Sequence, residues 1–336
     1  MTILVTGTAG FIGFKLAQRL LSEGKKVVGV DSHNDYYDVK LKDARVKILE
    51  TKKNYIHYRK NITNKIEIEK IFEKIKPNFV VNLAAQAGVR YSIENPLSYI
   101  DNNLVGFANI LESCRHNNVK HLVYASSSSV YGANTKMPFS VKDNVDHPIS
   151  LYAATKKANE LMAHTYSYLY KLPTTGLRFF TVYGPWDRPD MALQKFAHSI
   201  VNNKTINIFN NGKHKRDFTY IDDIVECLIR IIDVPALPNL NWSSQKPDPS
   251  SSSAPWRLYN IGNNNSVSLM DYINTLENYL GKEAKKNFLP LQPGDVESTF
   301  ADVDDLIKEF NYKPKVKIEE GIKSFAEWFM DYYNYK

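Results

Sequence analysis

Three glycines follow directly on a short apolar segment at the start of this 336-residue chain. Residues 3–6 have the composition of a buried strand, and Gly7, Gly10 and Gly13 have the spacing of a tight turn that leads into a helix. In such a turn the second glycine lets the backbone approach a pyrophosphate, whose charge then meets the positive N-terminus of the helix. The glycines alone leave two interpretations open, a tight turn without a ligand and a dinucleotide site.

Short apolar segments alternate with amphipathic ones through the first half of the chain, a pattern typical of a parallel sheet with helices on both faces. We predict strands at 3–6, 26–31, 55–58, 79–83, 121–125 and 174–180, and helices at 14–22, 65–74, 96–116 and 151–170. After residue 180 the alternation weakens, up to a last amphipathic helix with Ile318, Ile322, Phe325 and Phe329 at helical spacing. The predicted fold is α/β, a Rossmann-type doubly wound parallel sheet in residues 1–180 with a smaller C-terminal substrate lobe in 181–336, some of whose segments return to the sheet.

Composition restricts the class of protein. The hydrophobic fraction is 43%, as in soluble globular proteins, and no run approaches the ~18 apolar residues of a membrane span. The net charge of +7 comes from scattered lysines, which favours a solvated surface over a nucleic-acid patch and also suits an anionic substrate. Two distant cysteines, Cys114 and Cys227, indicate no disulfide framework, and no Cys or His cluster indicates a metal. The first residues carry no secretory signal, so we expect a cytoplasmic protein.

Tyr152 and Lys156 lie one helical turn apart in the predicted helix at 151–170. An ammonium near a phenol stabilises the phenolate and so lowers the phenol pKa from its ordinary value of about 10. The phenolate can then act as a general base. Such a base suits a dinucleotide enzyme, since it takes a hydroxyl proton while the dinucleotide accepts a hydride. By itself the pair fits a surface contact at i,i+4 better, and the glycine-rich turn upstream reverses that preference.

Asp31 ends the second predicted strand. A carboxylate at this position accepts hydrogen bonds from the adenosine ribose hydroxyls and repels a 2′-phosphate. The sequence therefore favours NAD over NADP as the cofactor.

Several segments carry a resemblance to a known family. The chain is similar to the extended short-chain dehydrogenase/reductase family of nucleotide-sugar epimerases and dehydratases in TGTAGFIG at 6–13, NLAAQAGVRYS at 82–92, YASSSSVYG at 124–132, YAATK at 152–156 and LRFFTVYGP at 177–185. More narrowly, it resembles UDP-glucuronate 4-epimerases in DSHNDYYDVKLK at 31–42, PWDRPDMA at 185–192, GKHKRDFTYIDDIV at 212–225 and QPGDVESTFAD at 292–302. The resemblance covers essentially the whole chain.

The resemblance implies a tightly held NAD and a reversible oxidation at C4 of the sugar. Tyr152 would take the C4 hydroxyl proton, Ser127 would bind the C4 oxygen, and Lys156 would bind the nicotinamide ribose and depress the tyrosine pKa, helped by the positive nicotinamide ring. The 4-keto sugar would then turn and regain hydride and proton on its other face, inverting C4. The cofactor-binding residues implied are Gly7, Gly10, Phe11, Ile12, Gly13, Asp31, Asn61, Ile62, Leu83, Ala84, Ala85, Asn102, Tyr152, Lys156 and Phe180.

Oxidation of a glucuronate at C4 creates a β-keto acid, which loses carbon dioxide when the carboxylate bond aligns with the ketone. Fixed donors would restrict that alignment. The resemblance assigns them to Ser128, Ser129, Thr181 and Arg188, although the serines could be a flexible turn and Arg188 a surface ion pair with Asp187 or Asp190. Related dehydratases carry Asp-Glu at 128 and 129, and related decarboxylases a glutamate at 129, so their absence argues against both activities.

For the UDP portion, the resemblance implies contacts from Phe209, Arg216, Gln292 and Asp295. The chain also departs from the family pattern. Asn61 stands where an aspartate usually contacts the adenine amine, and Ser32-His33 replaces a commoner Asn-hydrophobic pair. We interpret His33 as a local loop contact.

Two alternatives remain open at this point, a 4-epimerase of UDP-glucose or UDP-N-acetylated sugars and a non-catalytic NAD- or RNA-binding member of the fold. Intact Tyr152, Lys156 and Ser127 argue against the second. The helices predicted at 96–116 and 151–170 resemble the pair that forms a dimer interface in relatives, so a homodimer is expected. A role in polysaccharide biosynthesis is also expected from the resemblance.

Overall fold

The computed structural model describes residues 1–292 and 296–335. The strands are β1 (Thr2–Thr6), β2 (Lys26–Asp31), β3 (Tyr55–Arg59), β4 (Phe79–Asn82), β5 (His121–Ser127), β6 (Thr174–Phe179), β7 (Thr181–Tyr183), β8 (Thr205–Ile208), β9 (Lys215–Tyr220), β10 (Trp256–Ile261), β11 (Ser266–Ser268) and β12 (Lys285–Phe288). In the described part of the chain, a seven-stranded parallel sheet runs in the order β10-β6-β5-β4-β1-β2-β3. The predicted doubly wound parallel sheet is confirmed.

Alternate residues of β1 face opposite sides of this sheet, as the period of a strand requires. Ile3 and Val5 belong to one apolar core together with Phe14, whereas Leu4 belongs to the other together with Phe107. The strand is buried from both sides, which explains its continuous apolar run. The strand order reverses direction between β1 and β4, and in open parallel sheets ligands bind at the carboxyl ends of the strands at such a point.

The α-helices are α1 (Phe11–Ser22), α2 (Val39–Glu50), α3 (Lys65–Ile75), α4 (Tyr91–Glu94), α5 (Pro96–Tyr99), α6 (Gly106–His116), α7 (Leu151–Tyr170), α8 (Ala192–Val201), α9 (Ile221–Ile232), α10 (Leu269–Leu280), α11 (Asp304–Phe310) and α12 (Ile318–Tyr332). A π-helical segment, Ile100–Val105, joins α5 to α6, and 3₁₀ turns occupy Ser128–Tyr131 and Phe209–Gly212.

The structure corrects several predicted boundaries. The helix predicted at 96–116 is interrupted by the π-helical segment, and the helix α2 was not predicted. The strand β5 continues two residues past its predicted end, because Ser126 and Ser127 still pair with β6. Its serines therefore begin inside the sheet and not after it.

The part of the chain after residue 180 contributes the edge strand β10, which pairs in parallel with β6. Its other strands form a three-stranded sheet, β11-β9-β7, and the pair β12-β8. Phe325 and Phe329 of α12 belong to the same apolar core as Ile3 and Val5, so the helix predicted at the C-terminus packs into the main core. The division at residue 180 stays a prediction. Among the described residues, no helix combines the length and hydropathy needed to span a membrane.

Candidate active site

A cavity of about 430 Å³ lies at the carboxyl ends of β1, β4, β5 and β6. Twenty of the predicted site residues line it: Gly7, Gly10, Phe11, Ile12, Gly13, Asp31, Asn61, Ile62, Leu83, Ala84, Ala85, Asn102, Ser127, Ser128, Ser129, Tyr152, Lys156, Phe180, Thr181 and Arg188. The carboxyl ends of parallel strands share one edge of the sheet, which is why motifs far apart in sequence meet here.

A second cavity of about 220 Å³ adjoins the first, since Val89, Ser128, Ser129 and Thr181 line both. Arg216 lines the second cavity. Phe209 contacts Arg90, another residue that lines the second cavity. The Arg90 guanidinium lies 5.1 Å from the centre of the Phe209 ring. Gln292 is not among the described residues that line either cavity, and the predicted contact of Asp295 lies outside the described residues.

The glycine-rich turn has no room for side chains at its two ends. Gly7 has a φ of +80°, and a Cβ on Gly13 would lie 2.1 Å from the Gly7 carbonyl oxygen. The helix α1 begins at Phe11 without a side-chain cap, and its first residues, Phe11, Ile12 and Gly13, line the cavity. An uncapped helix N-terminus beside close-packed glycines fits a pyrophosphate.

The carboxylate of Asp31 is fixed at the edge of the same cavity. Its Oδ2 accepts from Ala9 N at 3.0 Å and its Oδ1 from His33 N at 2.8 Å. The Lys42 ammonium lies nearby and donates to the Asn34 carbonyl at 2.5 Å, and burial lowers the pKa of Lys42 to about 8. The fixed carboxylate at the end of β2 fits the ribose hydroxyls of NAD.

His33 was expected to make a contact within its own loop, but its ring lies against helix α2 and strand β3. Its Nδ1 lies 2.7 Å from Asp43 Oδ1, and its Nε2 lies 2.9 Å from His57 Nε2. Burial, followed by the charge of His33, lowers the pKa of His57 to about 4. The described residues contain no group of three or more His, Cys, Asp or Glu side chains that could hold a metal ion.

Tyr152, Lys156 and Ser127 come together from one helix and one strand. Tyr152 stands in the first turn of α7, whose N-cap Ser150 accepts from Ala153 N at 3.2 Å. The Ser127 hydroxyl at the end of β5 forms a hydrogen bond with Tyr152 and accepts from Ser129 N at 3.1 Å. The Lys156 Nζ donates to the Ala125 carbonyl at 2.8 Å and lies 6.0 Å from the centre of the Tyr152 ring.

Burial dominates the ionisation of both groups. It raises the pKa of Tyr152, against the lowering effects of the Ser127 hydrogen bond and the Arg188 charge. It also lowers the pKa of Lys156 to about 8. The net shift of the tyrosine pKa is upward because burial outweighs Ser127 and Arg188, and the role expected of Lys156 stays a prediction. Arg188 acts on the phenol electrostatically, a role that the sequence did not indicate.

A buried ion pair holds α7 against the sheet. Arg178 of β6 donates to both Glu160 oxygens, from Nε at 2.8 Å and from Nη2 at 2.9 Å, and both side chains are 1% exposed. Ser126 donates to the same carboxylate at 2.6 Å. Both charges are paired and hydrogen-bonded, which offsets the cost of burying them and fixes the helix that carries Tyr152.

The guanidinium of Arg188 lines the cavity and is also paired with a neighbour. Its Nε donates to Asp190 Oδ1 at 2.9 Å and its Nη2 to Asp190 Oδ2 at 2.7 Å. Tyr36, another lining residue, donates from its hydroxyl to Asp190 Oδ2 at 3.2 Å. The ion pair that we considered as an alternative thus exists, but it stands at the cavity and not on an open surface.

Sequence reasoning missed Arg45, a fully buried side chain of α2. Its Nη1 donates to the Ala9 carbonyl at 2.7 Å, within the glycine-rich turn. Its Nη2 donates to the carbonyls of Trp186 at 2.7 Å and Asp187 at 3.1 Å, next to Arg188. Gln194 adds a bond to the Asp187 carbonyl at 3.1 Å. Because these acceptors are backbone atoms, no residue pattern predicts the contacts. The only signal was that the segment resembling the family, 31–42, runs into the first turn of α2.

Known proteins resemble this chain along nearly its full length. Residues 3–240 match the NAD dependent epimerase/dehydratase family. The chain is 59% identical over 333 residues to Protein CapI of Staphylococcus aureus, covering 99% of each chain. It is 48% identical to the Probable UDP-glucuronate 4-epimerase of Rhizobium meliloti (strain 1021), covering 98% of this chain and 97% of that one. A crystal structure of UDP-glucuronic acid 4-epimerase from Bacillus cereus with UDP-glucuronic acid and NAD superposes with a TM-score of 0.86 at 32% identity, covering 99% of this chain and 100% of that chain.

Proposed function

The chain belongs to the NAD dependent epimerase/dehydratase family, and we propose that within this family it is a UDP-glucuronate 4-epimerase that interconverts UDP-glucuronate and UDP-galacturonate. The observation that carries the proposal is that Arg188 lines the same cavity as Tyr152 and Ser127. A sugar that is neutral at C6 offers no charge for a guanidinium to bind beside the reacting carbon, whereas a uronate offers its carboxylate.

NAD fits the residues around the glycine-rich turn. The pyrophosphate would lie at the N-terminus of α1 beside Gly10, and the adenosine ribose would bind Asp31. Lys156 would bind the nicotinamide ribose. Bound NAD supplies an acceptor that takes the hydride from C4 of the sugar and later returns it.

Tyr152 is the proposed general base. Its hydroxyl would take the C4 proton and later return it, while Ser127, already hydrogen-bonded to the tyrosine, would hold the C4 oxygen in line. The Ser127 bond and the Arg188 charge both favour the phenolate against burial. The 4-keto sugar must turn over between the two transfers, so that the configuration at C4 inverts.

Four donors would hold the C5 carboxylate during this step: Ser128, Ser129, Thr181 and Arg188. The 4-keto uronate is a β-keto acid, which decarboxylates when the bond to the carboxylate aligns with the ketone. Charge-assisted hydrogen bonds fix the carboxylate out of that alignment. The same donors would disfavour decarboxylation, and serines at 128 and 129 provide no acid-base pair for elimination.

The adjoining cavity would take the UDP portion. Arg216 lines it and would bind the diphosphate, and Phe209, whose ring lies beside the lining residue Arg90, would contact the uracil. Gln292 and Asp295 are proposed contacts of the UDP ribose on the strength of the resemblance in 292–302.

We also propose a homodimer in the cytoplasm that supplies a polysaccharide precursor. Large apolar side chains are exposed on two helices of the described chain, among them Leu97 of α5 at 72% and Leu161 and Leu169 of α7 at 58% each. A stripe of this kind is typical of a helix that packs on a partner. The molecular mass in solution tests the proposal, since a monomer at micromolar concentration would contradict it.

The experiment that tests the function uses purified protein without added cofactor and three parallel substrates, UDP-glucuronate, UDP-glucose and UDP-N-acetylglucosamine. We expect UDP-galacturonate from the first, with kcat/KM at least about tenfold above the others, since charge-assisted bonds contribute about 1.5–3 kcal/mol. Preference for a neutral sugar would replace the proposed substrate. Bound NAD without turnover of any sugar, together with RNA binding, would favour a non-catalytic role.

A further inference from the structure

Asp190 holds Arg188 from outside the cavity. Arg188 is part of the described cavity wall and Asp190 is not. The carboxylate accepts from Nε at 2.9 Å and from Nη2 at 2.7 Å, so it occupies the side edge of the guanidinium. The pair is a two-point contact, which fixes the plane of the guanidinium as well as its position.

The end of the guanidinium, its Nη1–Nη2 edge, remains available to a second acceptor. A guanidinium has five N–H groups in a planar fork, and Asp190 accepts from the one on Nε and from one of the two on Nη2. The other Nη2 group meets Met191 Sδ at 3.7 Å, and a thioether is a weak acceptor. Met191 lines the cavity, so the edge formed by Nη1 and Nη2 lies on the cavity side. That edge has the geometry that binds a carboxylate bidentately.

Asp190 is itself held in place. Tyr36 donates to its Oδ2 at 3.2 Å, and the Met191 amide donates to the Arg188 carbonyl at 3.0 Å, closing a turn around Pro189. Burial would raise the pKa of Asp190, but the Arg188 charge and its hydrogen bonds outweigh burial and lower it. The carboxylate is therefore ionised at neutral pH and bound to two elements.

We propose, on the basis of the function proposed above, that Asp190 is a positioning residue: it fixes Arg188 by its Nε–Nη2 edge so that the Nη1–Nη2 edge receives the C5 carboxylate of the UDP-uronate. Asp190 does not touch the sugar. Its contribution is consequently confined to substrates that carry the carboxylate, and it acts only through Arg188.

The test compares steady-state kinetics on UDP-glucuronate and UDP-glucose for the wild type, Asp190→Ala, Asp190→Asn and the double variant Arg188→Ala/Asp190→Ala. Asp233→Ala is the matched control, because it removes an exposed carboxylate at the end of α9. We expect Asp190→Ala to raise the KM for UDP-glucuronate roughly tenfold or more, because a misplaced positioning group can cost up to about 100-fold. The KM for UDP-glucose should stay within about twofold, and decarboxylated product should appear. Asp190→Asn keeps one acceptor and should recover part of the loss.

In the Arg188→Ala background, Asp190→Ala should have no further effect on the preference for UDP-glucuronate. Equal losses on both substrates with a lower melting temperature would show that Asp190 only stabilises the loop and would overturn the proposal. A lower KM for UDP-glucuronate in Asp190→Ala would also overturn it, because Asp190 would then compete with the substrate. If the wild type epimerises UDP-glucose but not UDP-glucuronate, both the proposed function and this proposal are wrong. If the wild type prefers UDP-glucuronate but the variants do not behave as expected, only this proposal is wrong.

Discussion

The glycine-rich turn at 7–13 and the loop at 184–191 border the same cavity, but they are built in opposite ways. In the turn, the contacts that fold the backbone are local: Gly10 N donates to the Gly7 carbonyl at 3.0 Å, and Gly13 packs against the same carbonyl. Remote contacts from Asp31 and Arg45 are added at Ala9. In the loop, the contacts come from far away in the sequence. Arg45 donates to the carbonyls of Trp186 and Asp187, and the Trp186 ring lies 5.3 Å from that of Trp328. Contacts between residues close in sequence can be predicted from residue spacing. Contacts between distant residues are seen only in the folded structure.

The largest expected effect falls between the two regions, at the reacting hydroxyl. Tyr152→Phe should lower the rate of epimerisation by about 10²–10⁴-fold or more, because it removes the general base. Both binding regions stay intact, so NAD and UDP-glucuronate should still bind. Product analysis at fixed times measures the loss of epimerisation, and calorimetry measures the binding of NAD and UDP-glucuronate. Tyr168→Phe on the exposed part of α7 is the control; near-normal turnover by Tyr152→Phe would assign the base to another residue.

A single substitution should damage both regions at once. Arg45→Met removes the side chain that joins the glycine-rich turn to the loop at 184–191 and leaves buried carbonyls without their donor. We expect a loss of about 3 kcal/mol or more in the free energy of unfolding, since each unsatisfied buried group costs about 1–3 kcal/mol. NAD retention and preference for UDP-glucuronate should weaken together.

Arg45→Lys should lose less stability than Arg45→Met, since the ammonium still donates to part of the set. Arg19→Met is the control for both, because Arg19 is 41% exposed and its ion pairs with Glu23 and Glu226 contribute less than about 1 kcal/mol. Denaturant unfolding and the NAD content of the purified variants are the measurements. Loss of NAD without any change in substrate preference would show that Arg45 serves only the turn.

Arg188→Ala should damage the second region alone. The expected loss is about 1.5–3 kcal/mol in the binding of UDP-glucuronate, with a much smaller effect on UDP-glucose. Carbon dioxide and a UDP-4-keto-pentose should appear as side products, because the carboxylate of the 4-keto intermediate is released. Parallel kinetics with mass-spectrometric detection measure both effects. The NAD content of the variant should be unchanged. An unchanged preference for UDP-glucuronate would show that Arg188 does not bind the substrate.

The smallest expected effect concerns the first region alone. Asp31→Asn removes the charge that repels a 2′-phosphate and leaves the Lys42 ammonium in the same cavity wall. The affinity ratio of NADP to NAD should therefore rise by about 1 kcal/mol, or roughly fivefold, as expected for charges near water. Competitive binding of the two dinucleotides measures the ratio. Asp35→Asn, at an exposed position of the same loop, should leave it unchanged; a similar ratio in both variants would mean that Asp31 does not discriminate.

The same contrast governs how much of the structure the sequence predicts. Helix α7 has the predicted bounds, because Ser150 supplies a cap and the helix is long. Helix α2 was missed because its buried face carries Lys42 and Arg45 among its apolar side chains, which weakens the apolar periodicity. The edge strand β10 was missed because it follows a Ser/Pro-rich stretch and pairs with β6, a strand far away in the sequence.

The candidate site divides in the same way. The motif residues meet around one cavity because their spacing is tied to the backbone turns at the ends of strands, although their roles stay proposals. The apolar pattern does not predict the π-helical segment. Asn103 in this segment accepts a hydrogen bond from Gln86 N and donates one to the Thr155 hydroxyl, and both partners are distant in sequence. The direction of the Tyr152 pKa shift could not be predicted from the sequence either, since burial has the largest effect on it.

Isotopic labelling tests the central claim most directly, namely that the chain removes a hydride from C4 of UDP-glucuronate and returns it to the opposite face. Purified protein is incubated in ordinary water, without added cofactor, with UDP-glucuronate that carries deuterium at C4. The proposed mechanism predicts UDP-galacturonate with the deuterium retained at C4, because the hydride never exchanges with solvent. Product that carries solvent hydrogen at C4, or no product unless NAD is added in stoichiometric amount and consumed, would contradict it.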